Sequence, residues 1–442
     1  MTDLFPTVHV VHCIDTEGPL DESLADTFVR LRQLFGIDVT PTRENLERLQ
    51  RQEIPLDGLE ADVAKVVSPS LMAYNRTWHD IHVMLDDCMS PGFRNQMVDD
   101  DGRGWVYSWH CMDHLGLNEN PRRKDFGYGN IFRFYTDKIA ETNSVHDEID
   151  WHFHPLSLTR HPLHAATSFA NTMDVLMPTI ARRIIDNRWF PTTNRPGFHA
   201  ERPDSHLFFE QWIPFDYANQ AHADAVSAQR DTQAGRFGDW SRAPADWLGY
   251  NPSHDDYQQP GACRRWIFRC LNLGTRLRVM QLEHVREAFR QARDHGSAIL
   301  AFADHDYRDI RPDVQTLRTM LQQVRAEFPD VKLRFSGAHE AAAAHVTRDT
   351  AAPPPLKLSL EVGPDRLHVK VLEGAVFGPQ PFLALRTRDG RYYHDNFDVI
   401  TPNQAWTYVL DDQTLPLQSL SHIGVGAAGR FGGFHTVVHH VG

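Results

Sequence analysis

The sequence predicts an α/β chain: a parallel sheet or (β/α) barrel interrupted early by a helical insertion and followed by a small all-β sandwich. Three observations predict it. Strands and amphipathic helices alternate through the first 349 residues, the pattern of a parallel sheet or barrel. A proline-rich stretch, Thr350 to Pro355, then forms a stiff linker. Beyond it the apolar period falls to two, and short strands recur without helices between them. The expected boundaries are residues 1–349 for the barrel, with the insertion at about 20–100, then 350–355 for the linker and 356–442 for the sandwich.

Val8 to Ile14 is a β-branched run that ends at Asp15-Thr16-Glu17-Gly18-Pro19, a strand running out into a loop. Residues 20–100 are polar and irregular, with helical patches at Leu24 to Phe35 and Arg43 to Gln52; this is the insertion. Gly104 to Trp109 predicts a second strand, ending at His110-Cys111-Met112-Asp113-His114, and Glu148 to Trp151 a third, ending at His152-Phe153-His154-Pro155. Leu282, Val285, Phe289 and Ala292 share one face of a helix that Gly296 ends. The strand Ala298 to Ala303 follows and leads into Asp304-His305-Asp306. Val314, Leu317, Leu321, Val324 and Phe328 mark another helix, begun by Pro312 and Asp313, and Lys332 to Phe335 another strand. After the linker, Leu356, Leu358, Leu360 and Val362 alternate with polar residues, as do Leu367, Val369 and Val371. Asp389-Gly390 between two such runs predicts a hairpin.

With 442 residues and 41% apolar content, the chain can bury a large core. A net charge of −13 argues against a nucleic-acid partner, which needs a surplus of Lys and Arg. It leaves carbohydrate open as a partner. No run of about 18 apolar residues occurs, so no spanning helix is expected. The start, Met1-Thr2-Asp3-Leu4-Phe5-Pro6, lacks a basic region followed by an apolar one, so no signal peptide is expected. The odd set of cysteines (Cys13, Cys88, Cys111, Cys263, Cys270) has no metal-type pairing and fits reduced thiols in a cytoplasm.

The chemistry starts with histidine, of which there are 26 against 45 Lys and Arg together. Asp15 and Glu17 are two apart, so on a strand both carboxylates point to one side. Two like charges there are costly unless a cation or a proton is shared. His152 and His154 repeat the spacing at another strand end, where Pro155 stops the strand. Either pair alone is an ordinary feature of a loop or surface. Both pairs at separate strand ends of one α/β pattern predict a divalent-metal site of nitrogen and oxygen ligands from Asp15, Glu17, His152 and His154.

Together with Arg195-Pro196-Gly197-Phe198-His199-Ala200-Glu201-Arg202 and Leu300-Ala301-Phe302-Ala303-Asp304-His305-Asp306, these motifs resemble the polysaccharide deacetylase superfamily, the chitooligosaccharide deacetylase-like members of carbohydrate esterase family four. Leu207 to Tyr217 resembles the helix and strand that follow the third motif, and the resemblance runs in motif order from residue 7 to about 345. It implies a distorted seven-stranded barrel and a metal-dependent hydrolase. Asp15 would be the base and Glu17 a ligand, or the reverse, with His152 and His154 as ligands, Arg202 as the third-motif arginine and His305 as the general acid. Asp304 or Asp306 would hold the His305 tautomer. Asp113, His114, His199 and Glu201 are the expected substrate contacts. The chain departs from the family in its D-x-E pair, where adjacent aspartates are usual, and in histidines two apart, where four is usual. Phe198-His199 stands where the third motif has Phe-Arg, and Arg195 and Arg202 are the nearest arginines. His161 and His164 are alternative ligands.

The reaction implied is hydrolysis of an amide, an N-acetyl group on an amino sugar, with zinc as the default metal, although such sites also accept Co, Ni, Mn or Fe. In a cytoplasm the substrate would be a precursor such as a nucleotide- or lipid-linked glycan for a surface polysaccharide. Two alternatives stand beside it: an amidase or deformylase acting on another sugar amide, and a barrel without catalysis that binds a glycan. A homo-oligomer is left open. Other features point elsewhere. Gly424-Val425-Gly426-Ala427-Ala428-Gly429 fits a dinucleotide-binding glycine pattern but has no helix after it, so glycine-rich turns are expected. The tryptophans are expected in the core, and His435, His439 and His440 facing solvent.

Overall fold

A computed structural model of the protein describes residues 5–222, 237–348 and 354–442; Thr350 to Pro353 of the expected linker lie outside the described residues. The first strand, β1 (Thr7–Thr16), is followed by helices α1 (Leu24–Phe35), α2 (Arg43–Gln50), α3 (Glu60–Val66), α4 (Trp78–Cys88) and α5 (Pro91–Arg94), which make up the insertion. Ser23 and Thr77 start α1 and α4 through reciprocal caps with Asp26 and Asp80. The first three helices share a small core of Phe28, Leu31, Leu46, Leu49 and Val63.

The chain then alternates: β2 (Ser108–Cys111), α6 (Asn130–Glu141), β3 (Glu148–Phe153), α7 (Met173–Asn187), β4 (Thr193–Pro196), α8 (His206–Trp212), β5 (Phe215–Asn219), β6 (Trp266–Asn272), α9 (Leu282–His295), β7 (Ser297–His305), α10 (Arg311–Glu327), β8 (Lys332–Phe335) and α11 (Ala338–Thr347). Strands β1 to β7 are parallel neighbours, and β1 pairs with both β7 and β2, which closes a seven-stranded barrel. The first half of β1 pairs instead with β8, Thr7 to Val10 lying beside Lys332 to Phe335. This explains why the second strand starts later than the sequence suggests. Next to the first half of β1 the place is taken by β8, so Gly104 to Tyr107 approach outside the ladder, Trp105 N–H donating to the Arg94 carbonyl. Pairing of β2 with β1 begins at Ser108 opposite Cys13.

Alternation along β1 sorts its side chains. Val8, Val10 and Ile14 face outward onto the core shared with α4, α6, α9 and α10. Val11 and Cys13 belong to the inner cluster with Tyr217, Cys270, Ala301 and Ala303. Ala338, Ala341 and Ala342 of α11 join that cluster and plug the end of the barrel where the strands begin. Glu148, at the start of β3, accepts the backbone N–H groups of His339 and Glu340 and so anchors the first turn of the plug. With a period of two, Asp15 falls in line with Val11 and Cys13, and His305 with Ala301 and Ala303. Both emerge at the carboxyl end of the barrel, where (β/α) barrels carry their sites.

The C-terminal strands are β9 (Lys357–Val362), β10 (Arg366–Glu373), β11 (Phe382–Thr387), β12 (Tyr392–Asp395), β13 (Asp398–Thr401), β14 (Ala405–Val409), β15 (Leu420–Ala428) and β16 (Phe434–His440). They form two antiparallel sheets, ordered β13-β14-β10-β9 and β12-β11-β15-β16. Leu358, Leu367, Val369, Leu383, Leu385, Trp406, Ile423 and Val425 fill the space between them. Arg388 to Arg391, containing Asp389-Gly390, turn β11 into β12. The outer face of the second sheet packs on α7 and α8 through Phe382, Ala384 and Ala428. Gly424 and Gly426 of β15 lie against α7 there, and a Cβ on either would come within 2.9 Å of Ile184. Gly424 and Gly426 therefore serve close packing, and Gly429 alone of the run sits in a turn, its carbonyl accepting the Gly432 N–H at 3.1 Å. Trp105, Trp109, Trp240 and Trp247 are fully buried, whereas His439 and His440 are exposed. Among the described residues no helix is long and apolar enough to cross a membrane.

Candidate functional site

At the mouth of the barrel Asp15, Glu17, His152, His154, Arg195 and His305 line one cavity of about 250 Å³. β1 supplies Asp15, with Glu17 just beyond it, and β3 supplies His152, with His154 just beyond it. The turn after β1 is held by Asp306, whose carboxylate accepts the backbone N–H groups of Glu17 and Gly18 and the Tyr135 hydroxyl. His114 adds a bond of 2.8 Å from its Nε2 to the Glu17 carbonyl.

His152 sets the chemistry. Its Nδ1 lies 2.5 Å from the Arg195 carbonyl, which can only accept, so Nδ1 carries the proton and Nε2 presents a lone pair. That Nε2 is 3.1 Å from His154 Nε2 and 4.0 Å from Glu17 Oε1, and His154 Nε2 is 3.6 Å from the same oxygen. Donor atoms about 2.1 Å from one tetrahedral ion lie ~3.4 Å apart. Glu17, His152 and His154 can therefore hold a metal ion with little adjustment. Burial pushes His154 down to about 3 and His152 well below the ordinary imidazole value, so both are neutral and ready to ligate.

Asp15 is not a fourth member of this group. Its Oδ2 is ion-paired with Arg195, and its Oδ1 lies 3.4 Å from His152 Nδ1, on the side of the ring away from the donor set. Oδ1 is buried without a hydrogen bond. Burial pushes the Asp15 carboxyl up to about 6, against the opposing pull of Arg195. His305 Nε2 sits 3.6 Å from Asp15 Oδ2 and 4.0 Å from Glu17 Oε1. Burial, reinforced by Arg308 and Arg195, lowers its pKa well below the ordinary value. Neither neighbouring aspartate holds the His305 tautomer. Asp304 points to the other side of β7 and accepts from His12 Nε2, while Asp306 serves the β1 turn.

Several expected residues stand elsewhere. Arg202 is turned toward the Ala166 and Glu201 carbonyls and does not line the cavity. The third-motif arginine at the site is Arg195, because β4 pairs with β3 so that Arg195 lies directly beside His152. Glu201 is buried against Arg265 at 3.0 Å and Ser205, and Asp113 is bound by Arg183 at 2.7 Å and by the Gly129 N–H. Neither lines the cavity. His114 and His199 do reach the cavity wall. His161 and His164 lie against each other at a tilt of 34°, ring centroids 4.5 Å apart, outside the donor group.

The loop after β4 contributes Gly197, to which the sequence alone gives no role. A Cβ on Gly197 would lie 2.1 Å from the His154 ring, so only glycine leaves room for that imidazole. Phe198 and His199 follow with φ of 55° and 50°, conformations that L residues rarely adopt. Their carbonyls are pinned by the Gly238 N–H and the Trp240 indole. Lys124, from the loop between β2 and α6, is ion-paired with Glu17 Oε2, and burial brings its ammonium down to about 7. No family model, no curated protein and no solved structure matches this chain.

Proposed function

We propose that this site is a metal-dependent amide hydrolase that removes an N-acyl group, an acetyl in the first instance, from an amino sugar, on a barrel of the deacetylase type. The observation that carries the reading is the His152 tautomer: one ring nitrogen is tied to a main-chain carbonyl and the other is left facing His154 and Glu17. Zinc suits two imidazoles, one carboxylate and open positions best. When bound, the cation supplies Lewis acidity to the acyl oxygen and to water.

The remaining work falls to the chain. Asp15, which lines the same cavity and whose carboxyl is raised toward neutrality by burial, takes a proton from the attacking water. Arg195 fixes the position of its carboxylate. His305 is neutral at rest, so it can receive that proton across the 3.6 Å gap from Asp15 and pass it to the departing nitrogen. Phe198 and His199, in a strained and pinned loop, shape part of the wall.

Metal content of the purified protein, beside its His152→Ala and Glu17→Ala variants, tests the reading, together with acetate, formate and ammonia release from N-acylated sugars. One equivalent of metal in the parent, loss in both variants and parallel loss of acetate release are expected. Equal metal in all three proteins would remove the basis for the mechanism.

A further inference from the structure

The cavity wall is positive, although the chain as a whole carries −13. Among the described residues, six Lys and Arg side chains line it against two carboxylates, Asp15 and Glu17. Arg195 and Lys124 answer those two. Arg30 and Arg122 share a single carboxylate, Glu22, at 2.7 and 3.5 Å. Arg308 makes no ion pair among the described residues. Three of these cations converge on one ring: Arg308, Lys124 and Arg122 stand 4.9, 5.1 and 5.9 Å from the centroid of Tyr307, two residues beyond His305. Arg122 is further fixed by the Tyr74 hydroxyl at 3.0 Å. A divalent ion on Glu17, His152 and His154 would add to the surplus. Like charges gathered in a partly buried pocket are costly when alone and attract an anion strongly, because the low-dielectric walls focus their field.

We propose that the substrate carries a negative group on its sugar, a carboxylate or a phosphate, seated beside Tyr307 between Arg122 and Arg308. This names the substrate class of the site described above and rests on that reading. Arginine suits the role because its planar fork matches the oxygens of either group. The apolar side of the cavity, with Leu34, Val66 and Leu163, would then face the uncharged part of the molecule.

Calorimetric titration of the metal-free, full-length protein tests this without depending on metal or turnover. The probes are N-acetylglucosamine, its 1-phosphate and the corresponding N-acetylglucosaminuronic acid. At least one anionic sugar should bind about tenfold more tightly than the neutral one, with an advantage that shrinks as salt is raised. The tighter of the two anions identifies the group. Arg308→Gln should cut the advantage about fivefold, and Arg308→Lys should keep much of it. Equal binding of all three sugars, no binding of either anion, or an undiminished advantage in Arg308→Gln would overturn the proposal. Anion preference in a protein that takes up no metal would instead overturn the hydrolase reading and leave the anion site standing.

Discussion

At the scale of single residues, Gly197 governs His154 by what it lacks. The imidazole occupies the place where a side chain would begin, 2.1 Å from an ideal Cβ. Gly197→Ala should leave circular dichroism and melting close to the parent while lowering metal affinity about ten- to a hundredfold, as moving the support of a ligand does. Unchanged affinity in a metal titration would show that the ring has room to spare. Asp15 makes a second test. A base works only when deprotonated, and burial has moved its carboxyl up to about 6. The acid limb of kcat/KM should therefore fall as pH drops through about 6, and Asp15→Asn should remove the activity. A limb near the ordinary carboxylate value of ~4 would take the base role from Asp15. The four side chains Asp15, Glu17, His152 and His154 are legible in the sequence because a strand period of two aims each pair to one side. Arg195 is not, since two arginines flank the third motif and only the register of β3 against β4 tells which one meets His152. Lys124 comes from a loop, where no periodicity announces it.

At the scale of elements, the junction between α7 and the β12-β11-β15-β16 sheet joins the two halves of the protein. Gly426 lets the helix approach: a Cβ there would meet Ile184 and Phe190 at 2.9 Å. Gly426→Val should overpack this contact and cost about 1–3 kcal/mol in chemical denaturation. Full stability would mean that helix and sheet can part freely. The glycine spacing was readable only as turns, because the sequence does not disclose that this face of β15 is covered by a helix. The second strand shows the same limit. Its apolar run starts at Gly104, yet pairing starts at Ser108, because β8 already lies along the first half of β1. A neighbour more than two hundred residues away decides where that strand begins, and no local pattern carries such information.

At the scale of the whole molecule, the alternation of strands and helices, the helical insertion and the change of period after the linker were all visible in the sequence, and they recur as closed barrel, helices and paired sheets. What the pattern does not carry is the use made of the insertion. Arg30 and Leu34 of α1 and Val66 of α3 reach the cavity, so a segment that reads as a polar interruption is one wall of the site. The alanine face of α11, tied down by Glu148, has a different consequence. It leaves the barrel a cul-de-sac: traffic cannot pass through from one end to the other. Whatever enters must leave by the doorway it came in, and a long polymer could dip an end into the mouth or lie across it, never be threaded.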